Sequence, residues 1–220
     1  MKNWNAKEGN EKQTSKALTH NLIIVDESGS MGYIYREALT GMNETLQSIK
    51  KSDEKSPQVV TLVTFDTGHY NEIFSEVPAA ETRQLTENDY RPQGCTPLYD
   101  AMGRAITTLK GQVKEGERVL VTVITDGLEN ASTEYTAKDI EKLVKDLEEE
   151  EWIFAYIGAN QDAVMEAQKM GIRDAMNFQA TPEGASQMWS DYNACRESFA
   201  QMDDGESVKQ KRGNFFKNMF

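Results

Sequence analysis

The chain has 220 residues, 38% hydrophobic and 27% charged, which is enough for one well-buried domain with length left over for tails. Its 24 Lys and Arg stand against 36 Asp and Glu, a formal net charge of -12. That excess of acid argues against a nucleic-acid or anionic-membrane binder, since phosphate affinity comes chiefly from cationic side chains, and solubility is its simplest meaning.

Residues 1–18 are polar and aperiodic and read as a mobile leader. They hold no apolar run suited to a signal-peptide core, and no stretch of the chain is long enough for a membrane span, so the expected location is cytoplasmic. "NLIIVD" (21–26) reads as a strand buried on both faces. "REALTGMNETLQSIKK" (36–51) sets Leu39, Met42, Leu46 and Ile49 on one helical stripe. "PQVVTLVTFD" (57–66) is a second buried strand, and "HYNEIFSEVPA" (69–79) follows Thr67 and Gly68 as its hairpin partner. After a polar loop, Thr96 as cap and Pro97 in the first turn predict a helix over 96–113. Then come a very apolar strand (118–126), an amphipathic helix (136–150) and a strand (152–159). A helix over 161–171 ends at glycine, and a weak strand (174–178) and a last helix (181–202) complete the series.

Such alternation implies an α/β fold: a doubly wound, mostly parallel six-stranded sheet with one antiparallel edge strand and helices on both faces. Residues 19–203 would form this domain, leaving 204–220 as a basic, aromatic tail. In the strand order 3-2-1-4-5-6 the first and fourth strands are neighbours, and ligands bind beyond their carboxyl ends. Asp26 and Asp126, each at the end of an apolar strand, would meet there.

The stretch "NLIIVDESGSMG" (21–32) admits three chemistries. A serine nucleophile lacks a base: the hydrolase order needs a histidine after the acid, whereas His20 and His69 both precede Asp126. A phosphate cradle lacks its glycine-lysine loop, and Asp26 with Glu27 would repel phosphate. A phosphoacceptor role for Asp26 is a minor alternative, because no lysine follows the 152–159 strand before Lys169. Oxygen ligation of a hard cation fits best: Ser28 and Ser30 flank Gly29 and can turn both hydroxyls into one space.

With "DESGS" (26–30), the threonine of "GCTPLYDA" (94–101) and "TDGLEN" (125–130), the chain resembles the von Willebrand factor A family over roughly residues 19 to 180. The resemblance implies a metal-ion-dependent adhesion site whose shell is Asp26, Ser28, Ser30, Thr96 and Asp126. It implies Mg²⁺, with Mn²⁺ or Ca²⁺ as substitutes, and a free coordination position taken by an Asp or Glu of a partner protein. A family that is mostly non-catalytic implies a scaffold or assembly factor and not an enzyme. The alternatives are a metal-dependent phosphotransfer or phosphatase enzyme using Asp26, and a structural module with an empty site. Met31 after the motif is more similar to intracellular bacterial members than to animal adhesion receptors. Cys95 stands before Thr96 where many relatives have glycine. With only two cysteines, neither a disulfide framework nor a thiolate zinc site is expected.

Around this set, Asp100 lies one helical turn after Thr96, suited either to orienting a metal-bound water or to capping a loop. Glu129 and Asn130 read as turn residues ahead of a supporting role behind the metal. Asp66 reads as a hairpin residue ahead of electrostatic trimming of the site, and the acidic run 148–151 as a solvated face. Met188, Trp189, Tyr192 and Phe199 recur at helical spacing as core. The tail residues Lys209, Lys211, Arg212 and Lys217, with Phe215, Phe216 and Phe220, read as a disordered terminus or a short interaction motif.

Overall fold

A computed structural model describes residues 16–150, 152–159, 163–202 and 212–217. Six strands, β1 (Thr19–Asp26), β2 (Gln58–Phe65), β3 (Tyr70–Pro78), β4 (Arg118–Thr125), β5 (Trp152–Ala159) and β6 (Asp174–Phe178), form one sheet in the order β3-β2-β1-β4-β5-β6. Only β3 runs antiparallel. The central strands β1 and β4 are buried at all eight positions, as the apolar residues 22–25 and 119–121 at their centres require.

Helices α1 (Tyr35–Asp53) and α5 (Pro182–Ala200) cover one face, where Met42, Leu46, Trp189 and Phe199 join Ile23, Val25 and Leu120. On the other face lie α2 (Leu98–Lys110), α3 (Ala137–Glu149) and α4 (Ala163–Lys169), burying Leu22, Ile24, Val121, Ile106 and Val144. The α1–α5 contact depends on Gly41, since a Cβ there would stand 2.1 Å from Trp189 Cγ. Thr136 and Asp139 cap α3 reciprocally, and Thr181 caps α5 through the Gly184 amide at 3.1 Å.

The expected elements are present in order, with two local differences. The helix expected over 96–113 spans only Leu98–Lys110, and Thr96 makes no capping bond to it. Pro97 precedes the helix, and its φ of -80° and ψ of 63° let Thr96 turn out of the helical path. The acidic run is also less solvated than expected: Glu148 is buried beside Arg173, 3.4 Å away, while Glu151 lies outside the described residues.

In the tail, Phe215 and Phe216 pack into the α1–α5 core, with Phe215 edge-on to Phe199. The buried Asp174 carboxylate holds this segment by accepting from the Gly213 and Phe215 amides, both at 2.8 Å. Residues 1–15 of the leader, and 204–211 and 218–220 of the tail, lie outside the described residues.

Candidate metal centre

Three segments meet where β1 and β4 end side by side. The first, 26–30, leaves β1 and enters a 3₁₀ turn over Gly29–Ile34. The second, 90–96, is stitched to the first by main-chain bonds: Gln93 N donates to Glu27 O at 2.8 Å and Gly29 N to Gly94 O at 3.1 Å. The buried Tyr90 hydroxyl adds a bond to Asp26 O at 2.7 Å. Gly94 bends this loop with φ of +69°, a conformation few side chains tolerate. The third segment, 126–130, is tied to the second through Asn130, whose Oδ1 accepts from Thr96 N at 2.8 Å and whose N donates to Thr96 O at 3.2 Å.

This lacing brings all five expected side chains together. Ser28 Oγ lies 3.2 Å from Ser30 Oγ, and Ser30 Oγ donates to Asp126 Oδ1 at 2.6 Å. Gly127 locates the others: a Cβ built on it would stand 3.0 Å from Thr96 Oγ1 and 3.7 Å from both Asp26 Oδ2 and Ser30 Oγ. The oxygens therefore surround one space that only a glycine leaves free. Asp26, Ser28 and Thr96 form its buried floor, Asp126 is half-buried, and Ser30 is exposed at the mouth.

Asp26 is 0% exposed, with Oδ1 accepting from Ser28 N at 2.7 Å and Oδ2 from Thr125 Oγ1 at 2.5 Å. Burial nevertheless outweighs these bonds and pushes its carboxyl up to about 6. Burial also raises Asp126, against the opposing bond from Ser30. The Asp126 charge adds to the rise of Asp26, and a bound cation would relieve both. Octahedral oxygen ligands at magnesium distance sit about 2.9 Å from their neighbours, between the two oxygen separations seen here. Two carboxylates and three hydroxyls, all hard donors, thus fit a divalent cation of the Mg²⁺, Mn²⁺ or Ca²⁺ class. Among the described residues, no group of three or more His, Cys, Asp or Glu is placed to hold a metal.

The neighbours resolve as supports. Asp100 caps the 131–135 loop, its carboxylate accepting from the amides of Thr133, Glu134 and Tyr135 at 2.8, 2.9 and 2.8 Å. Asp66 accepts from His69 N at 2.8 Å and closes the hairpin, as expected. Glu129 accepts from Ala131 N and Ser132 N at 2.8 and 2.7 Å, and from Tyr99 N at 3.1 Å. His20 lies at the opposite, amino edge of the sheet. Sequence reasoning missed Thr125 and Tyr90, and ranked a turn role for Asn130 above the supporting role that the structure shows. Thr125 had a signal, being adjacent to Asp126 in "TDGLEN", whereas Tyr90 lies in an aperiodic loop and had none.

No protein-family model and no curated protein matches the sequence. Solved structures do resemble it. The pilus adhesin SpaC from Lactobacillus rhamnosus GG, in an open conformation, superposes with a TM-score of 0.65 at 15% identity, over 87% of this chain and 31% of that one. Proximal thread matrix protein 1 from the mussel byssus gives 0.58 at 16% identity, over 80% and 45%. The manganese-loaded TRAP protein of Plasmodium vivax gives 0.52 at 17% identity, over 79% and 72%. The chain has the von Willebrand factor A fold. It spans less than half the length of the byssus and pilus proteins, and at these identities the likeness concerns fold alone. Another form of the byssus protein is described with a zinc-occupied metal-ion-dependent adhesion motif; it superposes at 0.54 with 14% identity, over 83% of this chain and 46% of that one. In this von Willebrand factor A fold, the five oxygens occupy the carboxyl end of the sheet where strand order reverses.

Proposed function

We propose that this domain is a metal-dependent protein-binding module. It captures an Asp or Glu of a partner protein and serves as a scaffold or assembly factor rather than a catalyst. Asp26, Ser28, Ser30, Thr96 and Asp126 hold the cation, Mg²⁺ by preference, with Mn²⁺ or Ca²⁺ as substitutes. The observation that carries this reading is the convergence of their oxygens on the space beside Gly127. The ion supplies a coordination position for an anionic oxygen from outside. Three of the five ligands are neutral hydroxyls, so the ion's charge is less quenched than by carboxylates alone. The manganese and zinc in the names of two structural neighbours support divalent-metal binding in general.

Phosphotransfer through Asp26 is less well supported, because its carboxylate is 0% exposed and no lysine follows the 152–159 strand before Lys169. Calorimetric titration with Mg²⁺ and Mn²⁺ tests the proposal on wild type, Asp26→Asn and Asp126→Ala. Binding heat in the wild type and its loss in both variants is expected. Equal heats in all three would overturn it.

A further inference from the structure

We propose that the partner segment carries a single carboxylate flanked by apolar side chains, read by an apolar collar around the metal centre; this rests on the metal-capture reading above. Among the described residues, four large hydrophobic side chains are exposed: Tyr33 at 87%, Leu128 at 54%, Val164 at 41% and Met165 at 62%. Tyr33 and Leu128 belong to the segments leaving the carboxyl ends of the adjacent strands β1 and β4, whereas Val164 lines a separate pocket with Gly171, Ile172 and Ala175. Tyr33 is three residues beyond Ser30, Leu128 is two beyond Asp126, and Val164 and Met165 open α4. Single exposed hydrophobics are ordinary on a protein surface. The exposure of Tyr33 and Leu128 on two different segments that each carry a ligating oxygen is what indicates a docking surface.

The chemistry of that surface selects its occupant. Tyrosine is enriched at interface centres and offers large contact area. A chain of net charge -12 repels a run of acidic residues at long range. One carboxylate met by a cation escapes most of that cost, and its neighbours gain by being apolar. The collar thus discriminates against acidic tracts and favours an isolated acid within a hydrophobic segment.

A random heptapeptide display library, panned on the Mg²⁺-loaded protein and eluted with chelator, provides the test. The released peptides should carry one Asp or Glu beside Leu, Ile, Phe or Met. Synthetic copies should bind the double variant Tyr33→Ser, Leu128→Ser at least about tenfold more weakly, an effect on affinity alone. Mg²⁺ titration of the same variant reports on the ligating oxygens separately and should match wild type. Released peptides rich in acidic runs, or bound equally by wild type and double variant, would overturn the collar while leaving metal capture intact. So would a Mg²⁺-dependent dimer abolished by the double variant, since the occupant would then be a second copy of this chain. Absence of Mg²⁺ binding in the wild type would remove both proposals.

Discussion

Ser30 Oγ donates to Asp126 Oδ1 across 2.6 Å, joining residues 96 positions apart in sequence. The bond exists because β1 and β4 are parallel neighbours, in register from Thr19 opposite Arg118 to Val25 opposite Ile124. Its exposed position at the mouth makes Ser30 the least structural of the five oxygens. Ser30→Ala should therefore leave thermal stability near wild type while weakening Mg²⁺ binding by about tenfold or more, roughly 1.4 kcal/mol. Parallel calorimetry and thermal denaturation check this. Unchanged affinity would place Ser30 outside the metal shell.

Gly127 gives a steric version of the same test. Gly127→Ala adds one methyl group 3.0 Å from Thr96 Oγ1, and the backbone there does not need a positive φ. The variant should fold, since the methyl meets the Thr96 hydroxyl in a polar space at the surface rather than the close-packed core, and a shift of a few tenths of an ångström accommodates it. Its Mg²⁺ affinity should fall by about tenfold or more because the methyl occupies space beside the ligating oxygens. Wild-type affinity in this variant would mean that the oxygens converge somewhere else.

Much of this architecture was legible because burial leaves a plain pattern. Apolar runs such as "NLIIV" and "RVLVTVIT" have to be central strands, and their order follows from the right-handed crossovers of alternating strands and helices. Asp26, Ser28 and Ser30 were legible for a different reason, since a carboxylate and two hydroxyls at the end of a buried strand lack a packing explanation. The linkage of the loops was not legible. Tyr90 reaching Asp26 O, and Asn130 holding the Thr96 backbone, depend on distances between aperiodic segments, for which sequence spacing carries no signal. Docking of Phe215 and Phe216 was hidden likewise, because a short aromatic run at a chain end looks the same whether or not a groove exists to receive it.

Asp100 separates support from ligation. Its carboxylate satisfies three consecutive amides of the 133–135 backbone, and these bonds hold its carboxyl below the ordinary range despite the opposing effect of burial. Asp100→Ala should destabilise the fold by about 1–3 kcal/mol through the unsatisfied amides. Metal affinity, measured well below the unfolding temperature, should stay within about threefold of wild type, a difference under 1 kcal/mol. A loss as large as that of Ser30→Ala would give Asp100 a place at the ion instead.

At the opposite edge, His20 is buried between two acids, with Nδ1 2.7 Å from Glu76 Oε2 and Nε2 3.0 Å from Glu117 Oε2. The Nδ1 contact is close but not aligned as a hydrogen bond, and becomes an ion pair when the ring is protonated. Burial alone would lower this imidazole, but the two carboxylates more than offset it and raise its pKa above the ordinary 6.5. A raised folded-state pKa means that the folded form holds the proton more tightly than the unfolded chain. The resulting stabilisation is complete below about pH 6.5, the unfolded value, and disappears as pH rises through the folded value. His20→Gln should remove it. Urea unfolding of both proteins should therefore show a larger stability gap at pH 6 than at pH 9. A gap that is constant across that range would mean that His20 is neutral in the folded protein, and a gap that widens with pH would reverse the sign of the linkage.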